Sequence, residues 1–338
     1  MSPKKSIIFC APQDYGISNS IKDALENEGF EVYFFPVSDS PYKYKNLLER
    51  LQNLYRKTFV KDSNFKRELK MKSRYTSLLS LSNNIAYVDF ALFIRPDLFP
   101  EEFITLIKSK SNKLVGYQWD GLDRFPNIYK YLDYFDRFFV FDANDVDKHP
   151  ELLPLTNFFI PAKAISLKHE NAYFIGSYDK YRFNIALAIK NMLESLEYNT
   201  NFSFVTKDVR EQKLLQKSDF TTPLAIEYEE NINNVKNSSL VVDIHVPIHA
   251  GLSFRIFEAL CFNKKLITTN EAVRHYDFYN PNNIFIWNTT NSKQLNDFLQ
   301  APFMDIPEQI KNKYSFSNWI NYVLDDNEYN KIELPVVY

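Results

Sequence analysis

Short apolar runs alternate along the chain with segments in which apolar side chains recur every three or four residues. In the first half, helical or turn-forming segments separate apolar runs at residues 6–11, 31–37, 88–94, 113–117 and 137–141. Buried parallel strands produce short continuous apolar runs, whereas amphipathic helices produce the longer period. The pattern therefore predicts a parallel sheet covered by helices on both faces.

The same pattern restarts after a proline-containing stretch at residues 150–161. Apolar runs recur at residues 172–175, 201–205, 240–244, 265–268 and 283–287. We therefore predict an α/β protein with two Rossmann-like domains that face each other across a cleft. The N-terminal domain is placed at residues 1–162, with a helical insertion at 41–82. The C-terminal domain is placed at 163–338, and its last helix is expected to pack back on the N-terminal domain.

Composition narrows the class of protein. The chain has 338 residues, with 40 Lys and Arg against 42 Asp and Glu, a net charge of −2 that argues against a nucleic-acid partner. Two cysteines, Cys10 and Cys261, are too few for a disulfide framework. No apolar stretch approaches the roughly 18 to 20 residues that span a bilayer. A cytoplasmic protein is expected.

Charge is distributed unevenly along the chain. Residues 41–75 contain eleven basic and three acidic residues, interleaved with leucines and aromatic residues. A basic amphipathic helix with aromatic residues is typical of contact with an anionic membrane surface. We expect a peripheral position at the inner face of the membrane or contact with a polyanionic acceptor. A solvated helix whose apolar face belongs to the core is the open alternative.

Several common cofactor motifs are absent. Neither half carries G-x-G-x-x-G or G-x-x-x-x-G-K-[ST], which disfavours dinucleotide enzymes and P-loop nucleotidases. Neither H-E-x-x-H nor C-x-x-C occurs, so no zinc site is supported. We expect no metal and no bound cofactor.

The richest stretch begins at the apolar run 240–244. The loop after it leads through Gly251, Leu252 and Ser253 into a helical pattern, whose amino end is suited to a phosphate. Arg255 lies in the first turn and could bind the phosphate charge. Glu258 follows three residues later, where its carboxylate could accept hydrogen bonds from ribose. A solvated ion pair between these two side chains is the alternative.

This stretch, GLSFRIFEALCFNKKLITT, resembles the nucleotide-sugar motif of GT-B glycosyltransferases, and more narrowly bacterial enzymes of capsule and lipopolysaccharide biosynthesis. It departs from that motif at Phe262-Asn263, where a small residue or glycine is usual. The glycine-rich loop after the first strand is also reduced to Gly16. The resemblance implies a transferase that moves a sugar from a nucleotide-sugar donor to a bacterial surface glycan or its lipid-linked precursor, without a bound metal.

The resemblance also implies roles for individual residues. Donor phosphates would contact the loop and helix start, Arg255 would neutralise the leaving group, and Glu258 would hold the ribose. Strand ends and the adjoining loop add further candidates on the same side. The donor-binding residues are Gly176, Ser177, His249, Gly251, Leu252, Ser253, Arg255 and Glu258.

Acid and base candidates lie at strand ends of the N-terminal half. An inverting transferase needs a base for the acceptor hydroxyl, and Asp120 is the first choice because Trp119 offers a face for stacking on a sugar. Asp14, Trp119 and Asp123 are the expected acceptor-binding residues. Asp120 could instead cap the following turn, and a retaining enzyme would need no such base.

Two other functions stay open. A polyol-phosphate-type transferase would use the same helix end with a different leaving group. A non-catalytic protein that binds a glycan or a nucleotide could keep the same two-domain fold.

Overall fold

Two parallel sheets, of six and five strands, organise the chain in the computed structural model, which describes residues 4–13, 16–162, 171–246, 251–288 and 290–335. The chain divides into two units. Residues 1–14 and 21–139 form the first unit, and residues 15–20 and 140–338 form the second.

The six-stranded sheet has the order β2-β1-β3-β4-β5-β6. The elements that build and cover it are, along the chain, β1 (Ser6–Pro12), α1 (Ile17–Asn27), β2 (Glu31–Val37), α2 (Leu47–Tyr55), a π-helical segment (Arg56–Val60), α3 (Phe65–Ser82), β3 (Val88–Ile94), α4 (Glu101–Ser109), β4 (Ser111–Gln118), β5 (Arg137–Val140), α5 (Ala143–Lys148) and β6 (Leu153–Pro154).

Strand β1 is central and buried on both faces. It pairs in parallel with β2 and β3, so that Cys10 lies between Phe35 and Phe93 in the register. All three side chains are almost completely inaccessible to solvent. Burial on both faces explains why this strand carries a continuous apolar run rather than an alternating one.

The helical segment at residues 47–82 lies within the predicted insertion. Helix α2 begins after Asn46, whose side chain accepts a hydrogen bond from the backbone of Glu49. The π-helical segment ends at Lys61, which adopts φ 57° and turns the chain before α3. No residue of α2 or of the π-helical segment is buried, whereas α3 buries Leu78 and Ser82.

The five-stranded sheet has the order β11-β10-β9-β7-β8. Its elements are, along the chain, β7 (Asn171–Ser177), α6 (Lys180–Ser195), β8 (Asn199–Val205), α7 (Val209–Lys217), α8 (Tyr228–Lys236), β9 (Leu240–Asp243), α9 (Phe254–Cys261), β10 (Lys265–Thr268), β11 (Ile284–Ile286), α10 (Leu295–Gln300), α11 (Glu308–Lys313) and α12 (Phe316–Leu324). Short 3₁₀ segments occur at Pro96–Leu98, Leu122–Arg124, Pro126–Tyr134, Glu271–His275 and Ser292–Gln294.

The final helix, α12, packs inside the second unit. Trp319 donates from its indole nitrogen to the carbonyl of Thr156 at 3.0 Å. Its ring lies 4.5 Å, between centroids, from that of Phe158, which also contacts Phe316. Large aromatic contacts of this kind contribute strongly to burial, so α12 ties segment 156–158 to the second unit.

The predicted fold class, two Rossmann-like domains with parallel sheets, is confirmed. By its contacts, segment 140–162 groups with the second unit, whereas the sequence pattern places the domain boundary at residue 162. The predicted cleft and the packing of the last helix on the N-terminal domain stay predictions. Among the helices in the described part of the chain, none is long and apolar enough to cross a bilayer.

Candidate functional site

The carboxyl ends of β7 and β9 bring several predicted donor residues together. Strand β7 ends at Gly176-Ser177 and β9 ends at Asp243, while α9 begins directly after Ser253. In open α/β sheets, ligands bind at this edge.

Ser253 is the N-cap residue of α9, but its side chain does not cap the helix. Its hydroxyl donates instead to Oδ1 of Asp243 at 2.7 Å, and the Thr268 hydroxyl donates to Oδ2 of the same carboxylate at 3.0 Å. Asp243 is buried. Since the first N–H groups of a helix have no partner within the helix, a ligand could use those that Ser253 does not cap.

Arg255 lies in the first turn of α9 and points at the main chain of β7. One terminal nitrogen, Nη1, donates to the carbonyl of Ile175. Its Nε is buried and has no hydrogen-bond partner among the described residues. The alternative of a solvated ion pair with Glu258 therefore does not describe this arginine, because its guanidinium is held in the sheet edge.

Arg182 is a second cation at the same edge, and the sequence reasoning missed it. It lies in the first turn of α6, where Asp179 caps the helix by accepting from the backbone of Tyr181 and Arg182. Its Nη1 donates to the carbonyl of Ser177 at 3.3 Å, and its Nε is buried without a partner among the described residues. The signal was available: an Asp cap and an arginine follow a strand that ends in Gly-Ser.

Gly176 lies directly beside this arginine. A Cβ built on Gly176 would lie 2.8 Å from Nη2 of Arg182, so the guanidinium lies directly against the glycine backbone. Sequence reasoning assigned Gly176 to close approach of a ligand. In the structure it allows close approach of the arginine.

Charges of both signs surround Arg182 at this edge. Burial lowers the pKa of Arg182; the charge of Asp243 opposes this shift, and that of Arg255 adds to it. Neither arginine forms a salt bridge with a described carboxylate. Because both guanidinium groups donate to main-chain carbonyls and not to carboxylates, their positive charge is available to an anionic ligand. We refer to Arg182 and Arg255 below as the arginine pair.

Glu258 is enclosed rather than open to solvent. It is 2% exposed, and its Oε2 accepts from the side-chain amide of Asn231 at 3.1 Å. The amide oxygen of Asn231 accepts in turn from the Tyr173 hydroxyl at 3.0 Å. Burial raises the pKa of Glu258, against the opposing effects of Arg255 and Asn231. Its predicted contact with a ribose stays a prediction.

Gly251 and Leu252, which precede α9, are held in place by packing and by hydrogen bonds that their carbonyls accept. A Cβ on Gly251 would lie 2.2 Å from the Phe141 ring, so only glycine fits there. The Gly251 carbonyl accepts from the side chain of Asn270 at 3.2 Å, and the carbonyl of the buried Leu252 accepts from Asn157 at 2.9 Å. His249 lies outside the described residues.

The turn after α9 accommodates the departure from the GT-B motif. Asn263 adopts φ 52°, the left-handed conformation that Asn tolerates better than most residues. The next two side chains bind carbonyls at the carboxyl ends of other helices. Lys264 donates to the carbonyl of Lys236 in α8 at 2.7 Å, and Lys265 donates to that of Leu299 in α10 at 3.0 Å. These lysines stabilise helix ends, an arrangement that the motif did not predict.

The first unit carries a different arrangement at the ends of β3 and β4. Arg95 is buried, has φ 56°, and forms a bidentate pair with Asp97 at 2.7 and 2.8 Å. Its Nη1 donates to Oδ2 of Asp120 at 3.1 Å, while Arg124 donates to Oδ1 of Asp120 at 2.8 Å. The Arg95 guanidinium also lies 3.8 Å from the centroid of the Phe125 ring.

The predicted base and acceptor residues lie around this network. Both oxygens of Asp120 accept hydrogen bonds from arginines, so it is an ion-paired carboxylate rather than a turn cap. Trp119 is half-buried, and the exposed Asp123 accepts from the Tyr129 hydroxyl at 3.0 Å. Asp14 lies outside the described residues. The catalytic role of Asp120 stays a prediction.

The described residues contain no group of three or more His, Cys, Asp and Glu side chains that could hold a metal ion. Asp208 caps α7 by accepting from the backbone of Arg210 and Glu211.

Comparison with known proteins gives the fold. No protein-family model and no curated protein matches the chain. The catalytic domain of starch synthase IV from Arabidopsis thaliana, solved with ADP and acarbose, is similar with a TM-score of 0.52 and 9% identity over 92% of this chain and 94% of that one.

Two bacterial structures show weaker likeness. MurG from Acinetobacter baumannii is similar with a TM-score of 0.46 and 14% identity, over 96% of this chain and 98% of that one. A glycosyltransferase from Rickettsia africae is similar with a TM-score of 0.45 and 12% identity, over 88% of this chain and 87% of that one. The starch synthase likeness and the two parallel sheets confirm the GT-B resemblance at the level of the fold.

Proposed function

We propose that the protein is a glycosyltransferase that moves a sugar from a nucleotide-sugar donor to a bacterial surface glycan or its lipid-linked precursor. The observation that carries the proposal is the arginine pair. Arg182 and Arg255 lie at the carboxyl edge of the second sheet, each in the first turn of a helix, with no carboxylate partner among the described residues.

A nucleoside diphosphate suits this arrangement. When the bond between the anomeric carbon and the phosphate oxygen breaks, negative charge grows on the departing diphosphate. Two fixed guanidinium groups and the amino end of α9 would stabilise that charge more than they stabilise the bound donor. The residues expected around the diphosphate are Gly176, Ser177, Gly251, Leu252, Ser253 and His249.

Glu258 would bind the ribose of the same donor. Its carboxylate lies in the helix that carries Arg255 and is held by Asn231. Because the carboxylate is enclosed, contact with ribose hydroxyls requires the bound nucleotide to replace part of its present surroundings.

Asp120 would take the proton of the acceptor hydroxyl in an inverting reaction. This role requires one carboxylate oxygen to be released from Arg95 or Arg124, since both oxygens are engaged. Trp119, Asp123 and Asp14 would contact the acceptor. A polyol-phosphate-type transferase would use the same arginine pair with a different leaving group.

The test measures nucleotide binding and turnover together. Calorimetry with UDP, GDP, CDP, TDP and ADP on the intact chain should identify one preferred diphosphate. Arg182→Met and Arg255→Met should each weaken it about 10- to 100-fold, the range for a hydrogen bond between charged groups. Arg210→Gln, an exposed arginine of α7, is the matched control.

Product analysis with the matching nucleotide sugar distinguishes the enzyme classes. Release of the diphosphate and a glycosylated product supports the transferase, and a phosphate-linked product supports the polyol-phosphate alternative. Tight binding without turnover supports a non-catalytic binder. Equal affinity in the two arginine variants and the control would overturn the proposed site.

We further propose that the enzyme works at the inner, anionic face of a membrane. Seven of its exposed large apolar side chains lie within residues 47–60, namely Leu47, Leu48, Leu51, Leu54, Tyr55, Phe59 and Val60. Arg50, Arg56 and Lys57 lie among them. Apolar area combined with positive charge favours an anionic bilayer. Sedimentation with lipid vesicles tests this proposal, as detailed in the Discussion.

A further inference from the structure

A cavity of about 460 Å³ lies in the first unit, beside the ends of β2 and β3. One wall is a face of α3, and the others come from the loops after β2 and β3 and from segment 125–127. Its lining residues include Tyr42, Lys66, Arg67, Met71 and Phe125.

The charges of this cavity do not balance. Five of its lining residues are cationic and only two are acidic. Arg95 is fully paired with Asp97, and Lys70 lies 3.5 Å from Asp39. Arg74 donates to the carbonyls of Ser38 and Leu98.

The two remaining cations, Lys66 and Arg67, have no ion-pair partner among the described residues. Both are half-buried, and the Lys66 ammonium lies 5.4 Å from the centre of the Tyr44 ring. Their side chains therefore offer hydrogen-bond donors at the wall of the cavity without a protein carboxylate to receive them.

Crowding of positive charge strengthens this argument. Burial lowers the pKa of Lys70, and the neighbouring charges of Arg74 and Arg95 lower it further, against the opposing charge of Asp39. A bound anion would relieve that repulsion, since it lies near several cations at once. The site thus favours an anion for a reason independent of the free donors.

We propose that this cavity binds an anionic group, a carboxylate or a phosphate, carried on the sugar of the acceptor. Tyr42, Met71 and Phe125 provide apolar surfaces for the sugar ring, and Lys66 and Arg67 bind the anion. The assignment to the acceptor rests on the proposed transferase function. The binding of an anionic sugar to this cavity does not.

The ligand chemistry distinguishes this cavity from the site of the second unit. The arginine pair lies at the amino ends of two helices and suits a diphosphate. The cavity of the first unit combines separate cations with aromatic faces, which suits a sugar bearing a single acidic group.

The experiment uses the intact chain and three probes: glucuronate, glucose 6-phosphate and glucose. Calorimetry should detect binding of at least one of the two anionic sugars, with glucose at least about tenfold weaker. Lys66→Gln/Arg67→Gln should reduce affinity for the anionic sugar at least about tenfold. Arg210→Gln/Lys213→Gln removes the same charge from exposed positions of α7, outside the cavity, and should leave the affinity unchanged.

Other outcomes overturn the proposal. Equal loss in both double variants would mean that net charge, rather than this cavity, attracts the anion. Equal binding of glucose would mean that the anionic group is not recognised, and no binding of either anionic sugar would exclude the ligand class.

Nucleotide affinity and vesicle binding are also measured for the cavity variant, Lys66→Gln/Arg67→Gln, to separate this proposal from the alternatives. The cavity variant should keep the nucleotide affinity of the unchanged chain, so failure of the diphosphate site would be seen separately. Loss of vesicle binding in the cavity variant, with sugar binding intact, would assign these cations to lipid headgroups and overturn the proposal.

Discussion

In both units, arginines follow the carboxyl ends of parallel strands, but the hydrogen-bond acceptors of their guanidinium groups differ. In the first unit, Arg95 forms a bidentate pair with Asp97 and shares Asp120 with Arg124. In the second unit, Arg182 and Arg255 donate to main-chain carbonyls. The nearby carboxylate, Asp243, accepts from two hydroxyl groups instead.

The difference shows that an arginine at a strand end does not by itself indicate a phosphate site. The buried pair of the first unit is satisfied within the protein and contributes mainly to local structure. The arginine pair of the second unit retains charge and unused donor atoms. The pairing of each guanidinium therefore distinguishes an arginine that is satisfied by carboxylates from one that is proposed to bind a ligand.

The largest expected effect comes from breaking the neutral pair of the first unit. Asp97→Ala removes the bidentate partner of the buried Arg95 and leaves it only the contact with Asp120, which should lower the free energy of unfolding by about 2–3 kcal/mol. Arg182→Met in the second unit should cost at most about 1 kcal/mol, because it removes a charge that burial already disfavours. Denaturant unfolding followed by circular dichroism measures both.

A double variant controls this comparison. Arg95→Met added to Asp97→Ala removes the guanidinium that has lost its bidentate partner and should recover much of the lost stability. If Asp97→Ala destabilised the protein no more than Arg182→Met, the contrast between the two units would be wrong.

An intermediate effect should come from the exposed apolar side chains. In the first unit they are concentrated at residues 47–60, whereas in the second they are scattered. Leu51→Glu/Phe59→Glu removes apolar contact and adds negative charge, so binding to vesicles containing anionic lipid should fall at least about tenfold. Co-sedimentation with the vesicles measures the bound fraction.

The matched control places the same change in the second unit. Val209→Glu/Leu214→Glu alters two exposed apolar residues of α7 and should leave vesicle binding within about twofold of that of the unchanged chain. Equal loss in both variants would make the effect one of overall charge, and the proposed membrane surface would fail.

The smallest expected effect concerns the buried carboxylate beside the arginine pair. Burial raises the pKa of Glu258, so between its ordinary value of 4.5 and the raised value the folded protein binds more protons than the unfolded chain. Stability is therefore lost as pH rises through this window. Glu258→Gln removes that dependence. The free energy of unfolding of the variant, relative to that of the unchanged chain, should therefore rise with pH from about 4.5 upwards.

Thermal unfolding of both proteins across pH 4 to 8 measures this trend. Nucleotide affinity provides the second measurement. If Glu258 holds the ribose, Glu258→Gln should weaken the nucleotide about tenfold or more, whereas an enclosed structural carboxylate would leave the affinity unchanged. A parallel pH dependence in the two proteins would contradict the inferred burial of an ionisable group.

Sequence patterns located most of the sheet because buried parallel strands require continuous apolar runs. They also placed Gly176, Ser177, Ser253 and Arg255 at strand ends or helix starts, which the structure shows. Arg182 is found only from the Asp cap that follows a strand ending in Gly-Ser, because apolar periodicity does not indicate which arginine of a helix start faces a strand end. The contacts of Lys264 and Lys265 have no sequence signal, since only the packing of α8 and α10 brings carbonyls to them.

By itself, the sequence determined the fold class, two parallel α/β sheets, and it predicts an anion at the helix start after Ser253. Those properties follow from local periodicity and from the chemistry of neighbouring residues. Tertiary structure alone decided which of the described arginines pair with a carboxylate. It also decided that Glu258 is enclosed, and that Lys66 and Arg67 line one cavity with Arg95. Charge pairing and burial depend on contacts between residues far apart in the chain, and the order of residues does not specify those distances.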